Sequence, residues 1–117
     1  MRRGRVVDGE GRTLVPDVAM ADGVFTRMRG LIGRAPLGPG QGLWLTPCGS
    51  VHTIGMRRPI DVAFIAGDGR VVAVRPHLAP FRFALARGAR HTLELAPGAC
   101  QTHGLTPGQR LDWVDGP

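Results

Sequence analysis

The chain has 117 residues, 43% of them hydrophobic, which makes it a single globular domain able to bury a core without disulfide staples. Aromatic residues are only 5% and Tyr is absent, which argues against a surface built for stacking bases. The net charge is +6, carried by 15 arginines and no lysine, and their scatter along the chain reads as a solvated basic surface.

The basic N-terminal stretch MRRGRVVDGEGRTLV carries no apolar run behind it, so it does not read as a secretory signal. No apolar stretch reaches the ~18 residues a membrane helix needs. The expectation is a cytoplasmic protein with Cys48 and Cys100 reduced, no membrane contact, and nucleic acid not expected as a partner.

In chain order, Arg3–Val7 and Arg12–Val15 are short β-prone runs, with Asp8-Gly9-Glu10-Gly11 as a hairpin turn between them. Val18–Ala21 is a further strand candidate. Val24, Phe25, Met28, Leu31 and Ile32 recur at helical spacing and predict one short helix, with Asp22 at its N-cap and an end near Gly33. Ala35–Gln41 is a loop, and Gly42–Thr46 a buried strand. Asp61–Ala66 and Arg70–Arg75 are two strong strands joined by Gly67-Asp68-Gly69. Pro76–Pro80 is a loop, and Phe81–Ala86 reads equally as strand or extended loop. His91–Ala96 and Gln109–Val114 complete the set. About eight short strands separated by turns predict a mainly β fold. The form expected is a small antiparallel β-barrel or two-sheet sandwich with one short α-helix, with a core of about residues 5–114.

Reactive side chains concentrate in Pro47–Ile65, PCGSVHTIGMRRPIDVAFI. His52 is the first candidate, because an imidazole serves as acid, base or metal ligand near neutral pH. Thr53, Arg57 and Asp61 could orient it or bind an anion. Arg57 could equally pair with Asp61, Arg58 reads as solvated, and Asp61 reads more readily as a cap on backbone N–H groups than as a catalyst. Glu94 lies opposite Leu93 and Leu95 by strand alternation and could pair with Arg57 or Arg29 if that face lines a barrel mouth. Cys48, His52, Cys100 and His103 form a Cys2His2 set with weak spacing for zinc. A Cys48–Cys100 disulfide and a Cys48–His52 dyad are further alternatives, and two unlinked thiols are favoured over all three. No glycine-rich phosphate loop is present.

Four blocks together resemble a known family. They are Arg27–Arg34 (RMRGLIGR), Pro47–Ile65, His91–Gly98 (HTLELAPG) and Leu105–Leu111 with Pro107-Gly108. They are similar, in order and over about residues 18–114, to the bacterial and archaeal domain of unknown function 192. The resemblance implies a compact, mainly antiparallel, barrel-like β domain with one short helix, and no established activity. It also implies that the His52-Thr53 pair marks one branch, since another carries F-W-M-K-N-T there, which sits poorly with a shared catalytic His. Cys100 and His103 fall outside its pattern, and Gln109 stands where it usually has Asp.

A binding or accessory role therefore ranks ahead of catalysis. The first reading is a pocket for a small polar or anionic ligand lined by His52, Thr53, Arg57, Asp61, Glu94 and Arg29. The second is an acid/base hydrolase using His52 with Asp61 or Glu94. The third is a structural or partner-binding protein whose motif only supports the fold. No cofactor is expected.

Overall fold

The computed structural model describes residues 1–23, 27, 30, 31 and 34–116. The predicted helix falls largely on residues outside this set. Nine strands and one four-residue helix are seen among the described residues: β1 Arg2–Asp8, β2 Thr13–Ala21, β3 Gln41–Leu45, β4 Ser50–His52, β5 Ile60–Ala66, β6 Val71–Leu78, β7 Phe83–Leu85, β8 Ala89–Leu95, α1 Ala99–Thr102 and β9 Leu111–Asp115.

Seven strands form one curled sheet in the order β6-β5-β8-β3-β2-β1-β9, and β4 pairs with β7 in a small second sheet. The fold is mainly β, as expected, but a closed barrel is not what forms. The edge strands β6 and β9 meet at one corner, through an isolated Arg70–Arg110 bridge and backbone hydrogen bonds from Leu111 N–H to Gly69 C=O and from Val71 N–H to Gln109 C=O, each at 2.7 Å, and from Gly108 N–H to Val71 C=O at 2.8 Å. No ladder joins β6 to β9, so the sheet is an open half-barrel. Gly69 permits even that corner, since it has φ +93° and a Cβ there would lie 2.7 Å from the Leu111 carbonyl. The sheet is also mixed, because β2 and β3 run parallel.

The hairpin signals hold. Asp8 Oδ1 accepts from the backbone N–H of Glu10 and Arg12, each at 2.9 Å, which turns β1 into β2. Asp68 Oδ1 accepts from Arg70 N–H at 3.0 Å in the β5–β6 turn. Val62, Ala63, Phe64 and Ile65 of β5 are all fully buried, because β5 runs inside the sheet with both faces covered. Burying a side chain such as Phe64 contributes about 1.5–3 kcal/mol. Its odd and even residues go to two different clusters. Ala63 and Ile65 join Trp44, Leu93 and Leu95, while Val62 and Phe64 pack with Val51, Met56 and Ala84 under the small sheet. That second cluster fixes β4 and β7 against the main sheet, and so places His52.

Candidate functional site

The motif Pro47–Ile65 divides into two sets of side chains with different surroundings. The first holds the chain together. Thr53 is fully buried; its hydroxyl donates to the Ala79 carbonyl at 2.6 Å and accepts from Arg82 N–H at 2.8 Å. Asp61, also fully buried, accepts from His77 N–H through Oδ1 and from Cys100 N–H through Oδ2, both at 2.9 Å. Both carboxylate oxygens are thus taken by backbone donors far away in sequence. Cys100 N–H belongs to α1, so Asp61 ties β5 to that helix and to the end of β6. Buried N–H groups left without such acceptors are costly, which accounts for a carboxylate inside the core. The expected Arg57–Asp61 pair does not form, and Arg57 and Arg58 are exposed without an ion pair among the described residues.

The second set lines a cavity of about 350 Å³, with Arg27, Leu45, Cys48, Val51, His52 and Glu94 among its walls. Glu94 comes from β8, which lies between β5 and β3. Alternation places it opposite Leu93 and Leu95, yet both faces of this central strand are covered, and Glu94 is 1% exposed. Its Oε1 has no hydrogen-bond partner among the described residues. Burial pushes its carboxyl up to about 8, against a smaller opposing pull from Arg34. Glu94 therefore sits in the cavity wall as a neutral acid at pH 7. His52 enters from β4, and its buried Nδ1 likewise has no partner among the described residues. Its ring lies 6.2 Å from that of Phe83, the residue opposite it on β7.

Cys48 reaches the cavity on a loop pinned at three points. Its N–H donates to the Arg90 carbonyl at 2.8 Å, its carbonyl accepts from the Thr92 hydroxyl at 2.8 Å, and its thiol donates to the Ser50 carbonyl at 2.9 Å. Cys100 lies elsewhere, buried in the main core, where desolvation and then Asp61 push its thiol up to about 12. Both cysteines are free, so the disulfide alternative is corrected. The four residues of the zinc alternative do not meet. Cys48 and His52 face the cavity, and His103 Nε2 lies 2.9 Å from the Pro39 carbonyl. Among the described residues no three His, Cys, Asp or Glu side chains are grouped to hold a metal ion.

Of the residues singled out from sequence, the structure brings His52, Glu94 and Cys48 to one cavity and leaves Thr53, Arg57 and Asp61 outside its walls. Arg29 lies outside the described residues. Arg27, Leu45 and Val51 were not singled out, because apolar strand residues and a lone Arg carry no signal of a site until the strands are paired.

Solved structures match nearly the whole chain. One, from Sinorhizobium meliloti 1021, is provisionally described as a transcription regulator; it is 26% identical, has a TM-score of 0.79, and the alignment covers 96% of this chain and 92% of that one. Another, from Novosphingobium aromaticivorans, is of unknown function; it is 23% identical with a TM-score of 0.81, covering 95% and 84% of the two chains, and supports the fold alone. A Burkholderia pseudomallei protein provisionally described as exported shares the fold at 14% identity and a TM-score of 0.54, over 96% of this chain but 24% of its own length. No curated protein matches. The family model described as Uncharacterized ACR matches residues 5–113, so the chain belongs to the domain of unknown function 192 family.

Proposed function

We propose that this protein is a small binding module whose ligand occupies the cavity between β3, β4 and β8. One observation carries the reading: two buried polar atoms, His52 Nδ1 and Glu94 Oε1, lack partners among the described residues and belong to walls of the same cavity. Buried polar groups are almost always paired, and a group left unpaired beside an open space is positioned to pair with whatever enters it. Leu45 and Val51 supply apolar wall, so the ligand has an apolar body as well as a polar end. A neutral Glu94 does not repel an anion, and Arg27 is on hand, so the ligand class is a small polar or anionic molecule. A ligand-binding module is compatible with the regulatory role provisionally given to the Sinorhizobium meliloti protein.

A second reading, general acid catalysis by Glu94 beside His52, draws on the raised carboxyl, which lies close to neutral pH as an acid catalyst requires. Asp61 is no part of it, since both its oxygens are engaged. The binding reading is tested by melting wild type, Glu94→Gln and His52→Ala across a metabolite library. The expected result is a compound class that raises the Tm of wild type and not of the variants. Equal shifts in all three proteins, or none in wild type, would sink it. Turnover of a stabilising compound by wild type alone would select the second reading.

A further inference from the structure

The small sheet offers a second surface, on the side of β7 away from β4 and the cavity. β7 pairs with β4 in the register Ser50–Leu85, Val51–Ala84 and His52–Phe83. Thr53 N–H donates to Arg82 C=O, and Ala86 N–H donates to Gly49 C=O. The N–H and C=O groups of Ala84 therefore face β4, and those of Phe83 and Leu85 face away. Those backbone groups have no partner among the described residues.

The side chains beside this edge are large and apolar. Phe81, Phe83 and Leu85 are 65%, 72% and 70% exposed. Protected sheet edges are usually short and carry charges outward; this one is short but keeps its outward residues apolar. Phe81 is held in a left-handed backbone conformation, φ +61°, by its N–H bond to the Thr53 carbonyl and by the Thr53 hydroxyl beneath the loop. Such conformations in non-glycine residues gather at binding sites.

Charge narrows the occupant. The sequence has no Asp or Glu from residue 69 to 93, nor from 23 to 60. Every ion pair among the described residues lies instead on β1, β2, β9 and the turns beside them. Arg82 and Arg87 flank β7, exposed and without an ion pair among the described residues. A second copy of this chain pairing edge to edge would crowd those arginines together. A lipid surface would cover the side chains and leave the backbone edge without a ladder.

We propose that the free edge of β7 takes an extended segment of a partner polypeptide, with alternating apolar residues and acidic flanks. The segment adds a third strand to the small sheet, pairing with Phe83 and Leu85. The acidic flanks meet Arg82 and Arg87, which supply orientation and encounter rate.

The test is panning of random dodecapeptides against the full chain, followed by affinity measurements on the enriched peptides. Enriched sequences are expected to alternate apolar residues between Asp or Glu flanks. N-methylation of alternate peptide nitrogens in one of the two registers, and the Arg82→Glu/Arg87→Glu variant, should each weaken binding by at least about tenfold. Glu94→Gln should leave it unchanged, which separates this surface from the cavity. Failure to enrich any such sequence would overturn the proposal, as would binding indifferent to N-methylation in either register. Co-sedimentation with phosphatidylserine vesicles without peptide binding would assign the face to lipid. A dimer abolished by Phe83→Ser would assign it to self-association.

Discussion

Gly30 sits directly over the carboxyl of Glu94: a Cβ at residue 30 would lie 2.8 Å from Glu94 Oε1. Residue 30 also has φ +52°, which glycine adopts freely and other residues do not. The Gly30→Ala variant should therefore lose about 1–3 kcal/mol from backbone strain, with the clash in addition. Urea unfolding checks this. Combining it with Glu94→Ala should relieve the clash and not the strain, so the two losses will not add.

Glu94 also sets a pH dependence. Its carboxyl titrates at about 8 in the folded chain against 4.5 without burial, so the folded state binds the extra proton between those values. Stability then falls as pH rises through that window, on the order of 1 kcal/mol per pH unit where the two states differ by a full proton, and levels off above about 8. Glu94→Gln removes the charge and should flatten this slope. Melting temperatures from pH 5 to 9 for both proteins check it, and parallel profiles would contradict the assignment.

Asp61 makes the opposite kind of prediction, a structural one. Asp61→Ala leaves the N–H groups of His77 and Cys100 buried without an acceptor and should cost about 2–5 kcal/mol. Asp61→Asn keeps one acceptor and should recover part of the loss. Ligand-induced shifts should survive in whichever variant folds, because Asp61 is not in the cavity wall.

The thiols should react unequally. Cys100 is 2% exposed with its thiol pushed up to about 12, whereas Cys48 is partly exposed at the cavity. Titration of the native protein with a thiol reagent should modify Cys48 first and Cys100 only on unfolding. Bound ligand should slow the reaction of Cys48.

Much of the strand layout was legible in the sequence because alternation and turn chemistry act locally. Asp61–Ala66 and His91–Ala96 differ from β5 and β8 by a residue or two at their ends, and both Asp-Gly turns form. Prolines misled the reading. β2 runs unbroken through Pro16, where its register with β1 slips from Gly4–Val18 to Val6–Val15, and β6 continues through Pro76 on the edge of the sheet. Both are places where a missing N–H costs no ladder bond. β4 and β7 have three residues each and exist through each other and the cluster beneath them, so local pattern leaves β7, within Phe81–Ala86, open between strand and loop and does not announce β4. The four-residue α1 after Gly98 is too short for helical periodicity to mark it.

The site was less legible than the fold. Density of reactive residues marked Pro47–Ile65 but could not say that Thr53 and Asp61 face backbone donors while His52 faces a cavity. Glu94 was ambiguous for a physical reason: alternation tells which face a residue takes and not what covers that face. Only the order β5-β8-β3 puts a lone carboxyl inside.

Chemical-shift mapping of compounds that stabilise the wild-type protein tests the cavity as a ligand site most directly. In ¹³C and ¹⁵N spectra the signals of His52, Glu94, Cys48 and Val51 should move together and saturate with a common affinity. Shifts that cluster away from these residues, or stabilising compounds that leave His52 and Glu94 unmoved, would contradict it.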